Sequence, residues 1–375
     1  MRAIILIILF GLATKTYSNS LITGSAGGKI QGEVISKFQN PWAMSFIDKE
    51  NLLVTTKAGK LWILNSKGKK SEVLGVPSVF EGGQGGLGDV VKHPNYDTNK
   101  LVYISYITSK DNGKTRFATI MRANLDILDK PILRNIETIW DQSPAESGKG
   151  HFSHRITFGL KNSEHAGKIF ITSGDRQKQS PAQSMNSALG KIIRLNDDGS
   201  IPADNPFQNS GALAKTFWTL GHRNSLGIAF SNTGDLWAHE MGPRHGDELN
   251  LIKSGNNYGW PLVSEGNHYS GKSIPAHSEK PEFTAPQLAW VPTVAPSGLM
   301  FYKGNEFPQW ADHAFIGGLK SRALVRINFQ AGKPFEEERF SWNQRIREVE
   351  LGPNGAIWVL EDGPSGRLIK FTRPN

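Results

Sequence analysis

Apolar residues recur along this chain in short runs broken by polar turns, and the same arrangement returns about six times. Each copy has an apolar run, a turn holding Gly, Asn or Asp, and a second run rich in Trp, Ile, Val or Tyr. The copies lie at Trp42–Leu64, Leu87–Ile107, Arg155–Leu195, Asn224–Ile252, Ser297–Ile327 and Ile346–Phe371. Short runs of this kind predict β-strands, and no long amphipathic helical pattern interrupts them. Strands with turn signals at regular spacing fit a sandwich, a barrel or a propeller. Repeats of about four strands favour the propeller, whose radial repetition leaves short protected edges and a central channel. The expected architecture is therefore all-β, a six-bladed β-propeller with loop insertions. Segments 176–190, 200–216 and 261–293 are rich in Pro, Ser, Asn and Gly and read as surface loops on that scaffold.

Composition adds compartment and partners. The N-terminus carries Arg2, an apolar run from Ile4 to Leu12 and a small polar stretch from Thr14 to Ser20. This is the pattern of a secretory leader, too short to span a bilayer, with Ser18 as the expected cleavage position. Residues 1–18 thus read as signal peptide and 19–375 as one propeller domain, without a membrane span, in the periplasm or secreted. The chain has no Cys, so it has no disulfide or thiolate chemistry. Its formal charge is +9, but the basic residues are scattered, with one small cluster at Lys67-Gly68-Lys69-Lys70. That distribution reads as a solvated surface, with some cations reserved for an anionic small ligand and no nucleic-acid partner.

The stretch from Gly221 to Pro261 is densest in unusual chemistry and reads as short on regular structure. Arg223-Asn224 precedes an apolar run, Gly242-Pro243 precedes the carboxylates Asp247 and Glu248, and Asn256 to Pro261 reads NNYGWP. Carbonyls of Gly242 and Pro243, with Glu248 and Tyr258, make a thiol-free oxygen set of the kind Ca²⁺ takes. Three further clusters could carry chemistry. His151, in Gly150 to Arg155, could act as a general base, or be structural. Asp175, where a strand runs into a turn, could orient a His or merely cap the turn. Arg345 and Arg347 flank Ile346, so on a strand they point to the same side and could grip a carboxylate-rich ligand; Lys320 ends another strand-like run. No dinucleotide glycine motif, P-loop or G-x-S-x-G elbow is present, which disfavours nicotinamide, nucleotide and serine-esterase chemistry.

The motifs EGGQGGLGDVVKHP, GHF before R-I-T-F, SGDR, GKIIRLNDDGSIPADNPF, GHRN, GPRHGDELN, NYGWP, GGLK and RIREVELGPNG together closely resemble the soluble pyrroloquinoline-quinone (PQQ) dependent aldose sugar dehydrogenases. The resemblance spans roughly Asn40 to Phe371 and implies a six-bladed propeller that oxidises the C1 hydroxyl of an aldose to a lactone. It implies PQQ and Ca²⁺ as cofactors and an external electron acceptor; a monomer and a homodimer both remain open. Under it, His151 is the base that takes the C1 hydroxyl proton while hydride passes to the quinone, and Asp175 holds that His. Arg223 and Asn224 face the quinone oxygen where charge develops. Gln84, Lys320, Arg345 and Arg347 contact the cofactor oxygens and carboxylates. Gly242 and Pro243 supply carbonyls to the Ca²⁺ that also binds PQQ, and Glu248 and Tyr258 form a second, structural calcium site. Two stretches depart from the family pattern. Phe152-Ser153-His154-Arg155 stands where relatives carry small residues, so that His154 either crowds the pocket or presents a second base. Ala238-His239-Glu240-Met241 also differs. The competing readings are a catalytically silent propeller that binds a glycan or protein partner, and a metal-dependent lactonase.

Overall fold

A computed structural model of the chain describes residues 20–65 and 68–374. The leader expected at 1–18 and Lys67 of the basic cluster lie outside the described residues. Six antiparallel sheets of four or five strands make up the fold. Their innermost strands are Pro41–Phe46, Leu87–Lys92, Ser153–Phe158, Ser225–Phe230, Pro296–Phe301 and Ile346–Leu351. These pack side by side round an axis, and the sixth returns to the first. The molecule is the six-bladed propeller that the repeats predict.

The ring is closed by a segment that the repeat pattern did not include. Lys29–Phe38 pairs antiparallel with Gly366–Thr372, and Ser20–Thr23 lies outside it, so the sixth blade takes strands from both ends of the described chain. Lys29–Phe38 alternates in burial, with Ile30, Val34 and Phe38 inward, as a strand covered on one face must. The apolar core divides into wedges between blades. Leu53 and Leu61 meet Val90 and Ile104; Tyr103 and Ile120 meet Ile171 and Ile193; Phe38 and Leu360 meet Met44 and Val54. Each fully buried aliphatic or aromatic side chain contributes roughly 1.5–3 kcal/mol, so neighbouring blades hold each other.

All six innermost strands are bulged near their N-terminal ends, between Pro41 and Met44, Leu87 and Val90, Ser153 and Ile156, Ser225 and Gly227, Ser297 and Leu299, and Ile346 and Glu348. A bulge breaks the alternation and re-aims side chains. Because second strands run antiparallel to the first, their C-terminal ends reach the same mouth of the channel. Residues just before the first strand of a blade, or just after its second, therefore converge there.

The insertions are not surface loops throughout: much of each is exposed, as expected, but each also carries buried residues. Ala182, Ala188 and Leu189 in 176–190 are fully buried. Asn205 in 200–216 is buried and bonds Arg194. Segment 261–293 supplies Leu288–Trp290, the outer strand of the fourth blade. Nor is Gly221 to Pro261 poor in regular structure, since it holds the strands Ser225–Phe230, Leu236–Glu240 and Asp247–Leu251. Apart from Gly227, which lies within Ser225–Phe230, its glycines and prolines fall outside these strands.

Candidate active site

Gln84, His151, Arg223, Asn224 and Arg345 stand just ahead of innermost strands, with Arg347 inside one. Asp175, Gly242, Pro243 and Lys320 follow second strands. The topology thus brings every one of them to the bulged mouth. The loop into the third blade is strained: His151, Ser153 and His154 have φ of 47°, 59° and 62°. Such φ values are uncommon in residues other than Gly and persist only where the surroundings enforce them. Arg176 does much of that here. Buried at 1% exposure, it donates to the carbonyls of Gly150, Gly148 and Arg116 and lies 3.7 Å over the Phe152 ring. In the sequence Arg176 stood out only as the last residue of the SGDR motif.

His151 Nδ1 and Asp175 Oδ1 are 2.7 Å apart, which leaves imidazole Nε2 on the side away from the carboxylate. The Gln84 side chain accepts from the His151 backbone N–H at 2.8 Å. Burial lowers the His151 pKa below 6.5; the bond to Asp175 opposes this and the charge of Arg223 adds to it. The ring is therefore neutral, and able to take a proton, near neutral pH. Burial works against an ionised Asp175, but the bonds from His151, Gln177 and Trp260 hold its pKa below 3.8. The Asp175 N–H donates to the Arg223 carbonyl at 2.9 Å, which ties the dyad to the fourth blade. Asn224 Oδ1 accepts from Ser153 at 3.2 Å, while Asn224 Nδ2 and Arg223 Nε are buried with no hydrogen-bond partner among the described residues. Two N–H groups left in this state call for an acceptor from a ligand.

A cavity of about 400 Å³ opens next to this group, walled by Phe152, Ser153, His154, Gln84, Arg345, Arg347, Asp362 and Lys57 among others; His151, Asp175, Arg223 and Asn224 adjoin its walls through Gln84 and Ser153 and do not line it themselves. Arg345 and Arg347 do point to one side, and both bond Asp362, at 2.8 Å and 3.0 Å through their Nε atoms. Burial disfavours the Asp362 carboxylate, yet the two guanidinium groups hold its pKa below the usual value. Lys57 is a cation that sequence reading missed. It donates to the Gly83 carbonyl at 2.6 Å, and burial followed by the Arg347 charge lowers its pKa. Its signal was positional, directly after a second strand, as Asp175 and Lys320 are. Lys320 itself is exposed; Leu319, not Lys320, lines the cavity. His154 is part of the wall. Its ring stacks 4.8 Å from Trp42, its Nδ1 meets Ser105 at 2.7 Å, and burial beside Arg155 lowers its pKa to about 3.

The expected metal ligands lie beyond Arg223. The Gly242 carbonyl accepts from the Arg223 guanidinium at 2.7 Å. Glu248 and Glu240 share a small cavity with Gly242, Pro243 and Tyr258. Burial, then the neighbouring Glu240, raises the Glu248 pKa well above the usual carboxylate range. The Tyr258 hydroxyl is committed to Leu251 and Lys253, so only its carbonyl oxygen could reach a metal. Asp247 is likewise committed, accepting from Thr293 and from the backbone of Gly242, Val294 and Ala295.

A sequence model of the Glucose / Sorbosone dehydrogenase family matches residues 38–370. The chain belongs to this family. It is accordingly an enzyme, an oxidoreductase. It is 38% identical over 363 residues to the aldose sugar dehydrogenase YliI of Escherichia coli K12, an alignment that covers 94% of this chain and 95% of that one. Its fold matches the crystal structure of the soluble aldose sugar dehydrogenase of Escherichia coli in the apo-form, with a TM-score of 0.85, 33% identity, and 92% and 100% of the two chains covered. It also matches the PQQ-bound aldose sugar dehydrogenase of Streptomyces coelicolor, with a TM-score of 0.75, 25% identity, and 92% and 98% covered.

Proposed function

We propose that this enzyme oxidises the C1 hydroxyl of aldose sugars to lactones with PQQ, and passes the electrons to an external acceptor. The supporting observation is the cationic cavity of Lys57, Arg345 and Arg347 set beside the His151–Asp175 pair and the two unpartnered N–H groups. PQQ bears three carboxylates, and a ligand so charged is buried only against cations. The donor set fits it. Arg345 and Arg347 would hold its carboxylates in competition with Asp362, and Gln84 would border its rim. Lys320 would reach it only by folding its exposed side chain over the mouth.

When bound, PQQ supplies the two-electron oxidant. The protein supplies position and proton transfer. His151 Nε2 takes the proton from the C1 hydroxyl, and Asp175 fixes the tautomer by accepting from Nδ1. Arg223 and Asn224 present their N–H groups where negative charge develops. The carbonyls of Gly242 and Pro243 would hold a Ca²⁺ beside the cofactor, with the Gly242 oxygen using its second lone pair. Glu248 and the Tyr258 carbonyl, joined by Glu240, would hold a second, structural one. The buried Glu248 carboxylate accepts only from Asn250 and so keeps oxygen capacity for a hard cation, while Glu240 also accepts from His222, the Arg223 N–H and Asn250.

Export to the periplasm or beyond, on the leader at 1–18, belongs to the same reading, as does the single domain at 19–375. Among the described residues no helix is long and apolar enough to cross a membrane. The test is steady-state dye reduction with aldoses by wild type and His151→Gln. Turnover falling by about 10²–10⁴-fold with PQQ affinity kept within a few-fold is the expected result; unchanged turnover removes His151 as the base.

A further inference from the structure

Trp260 belongs to the NYGWP motif and has entered so far only as one of the donors to Asp175. Its indole N–H donates to Asp175 Oδ2 at 2.8 Å, the carboxylate oxygen that His151 does not use. The face of the same indole lies 5.3 Å from the Arg223 guanidinium. One ring thus touches both halves of the candidate site. It is itself firmly held. It is buried at 6% exposure in a small cluster with Ala182 and Ile274, apart from the wedges between blades. Its backbone N–H donates to the Gly221 carbonyl at 3.0 Å, and its backbone carbonyl accepts from Gln183 at 2.7 Å. Gln183 and Asn257 exchange amide hydrogen bonds at 2.7 Å and 3.1 Å. The turn carrying Gln183 is gripped from below by the buried Lys191 ammonium, which donates to the carbonyls of Pro181, Ala182 and Leu189 at 2.9, 2.9 and 2.8 Å.

We infer that Trp260 is a positioning residue for the His151–Asp175 pair, fixing the carboxylate plane and tempering how strongly Asp175 draws the imidazole proton. The physical reason lies in the second oxygen of Asp175. With the indole N–H on it, the negative charge is shared between two donors. Without that N–H, more charge faces His151 and the imidazolium form is favoured. His151 also feels the charges of Arg223 and Arg176, which act in the opposite sense and are unchanged by a substitution at Trp260.

The catalytic meaning of this inference rests on His151 being the base, but its test needs neither cofactor nor sugar. In Trp260→Phe the ring and its stacking are kept and the N–H is lost. The His151 midpoint, followed by NMR of the imidazole in the full chain without PQQ, should rise by about one unit, the scale of one charge-assisted hydrogen bond. In the PQQ-loaded enzyme the acid limb of kcat/KM should rise by the same amount. A folded Trp260→Phe with an unmoved His151 midpoint overturns the inference, even if dye reduction is lost. Should that variant not fold, the indole N–H resonance of Trp260 in the wild type decides. It should titrate together with His151, and a resonance that ignores that titration overturns the inference.

Discussion

At the scale of single residues the proposed site joins a candidate base, His151, to several fixed charges, and each makes a separate prediction. Because burial places the His151 pKa below 6.5, kcat/KM should fall only as pH drops through a midpoint under that value; a midpoint clearly above 7 would contradict the burial. The sign follows from the role: a base must be neutral to accept, so protonation at low pH removes activity. Arg345→Ala with Arg347→Ala should instead weaken PQQ binding, read by direct titration, by about 10²-fold or more as two charge-assisted contacts are lost. Asp362→Asn should act in the opposite direction, since it removes the carboxylate with which PQQ competes. An unchanged affinity in both variants would place the cofactor elsewhere.

At the scale of elements the reason some features were legible is plain. Six copies of strand, turn and strand could be read because each buries an alternating face in a wedge between blades. Lys29–Phe38 alternates just as clearly, but its partner Gly366–Thr372 lies more than 300 residues away in the chain, a pairing that local pattern cannot express. Val34→Pro should show what the closing strand contributes. It places a proline inside the strand opposite Ile369 and should cost about 3 kcal/mol or more, seen as a clear drop in Tm; an unaltered Tm would mean the ring does not depend on that strand. The candidate site was half legible for a similar reason. His151, Asp175, Arg223 and the Arg pair sit in motifs dense in Gly and charge. Arg176, Glu240 and Trp260 act through burial and direction, which spacing does not reveal, while Lys57 offered only its position after a second strand. Lys320 was the converse case, a cation in a suggestive motif whose side chain points to solvent.

At the scale of the molecule the channel is barred below the cavity by Arg155. From the third blade it reaches the Leu226 carbonyl at 2.9 Å, Asp89 at 3.3 Å, Glu348, and the Trp42 ring at 4.0 Å, so five of the six blades meet at one guanidinium. Arg155→Ala leaves two buried carboxylates unpaired and should cost about 3–5 kcal/mol in urea unfolding, well beyond a surface substitution. A loss under 1 kcal/mol would show that the blades hold without it. The proposed Ca²⁺ ions would act at this scale too. Chelation should lower both Tm and PQQ affinity, with Ca²⁺ restoring both, if the carbonyls of Gly242 and Pro243 and the Glu248 cavity hold cations.

The most direct measurement is titration of the purified, calcium-loaded chain with PQQ, followed by aldoses and an artificial electron acceptor. Stoichiometric binding and sugar-dependent dye reduction are the predicted result. A chain that binds no PQQ and reduces no dye would contradict the proposed chemistry and leave the cationic cavity to another anionic ligand.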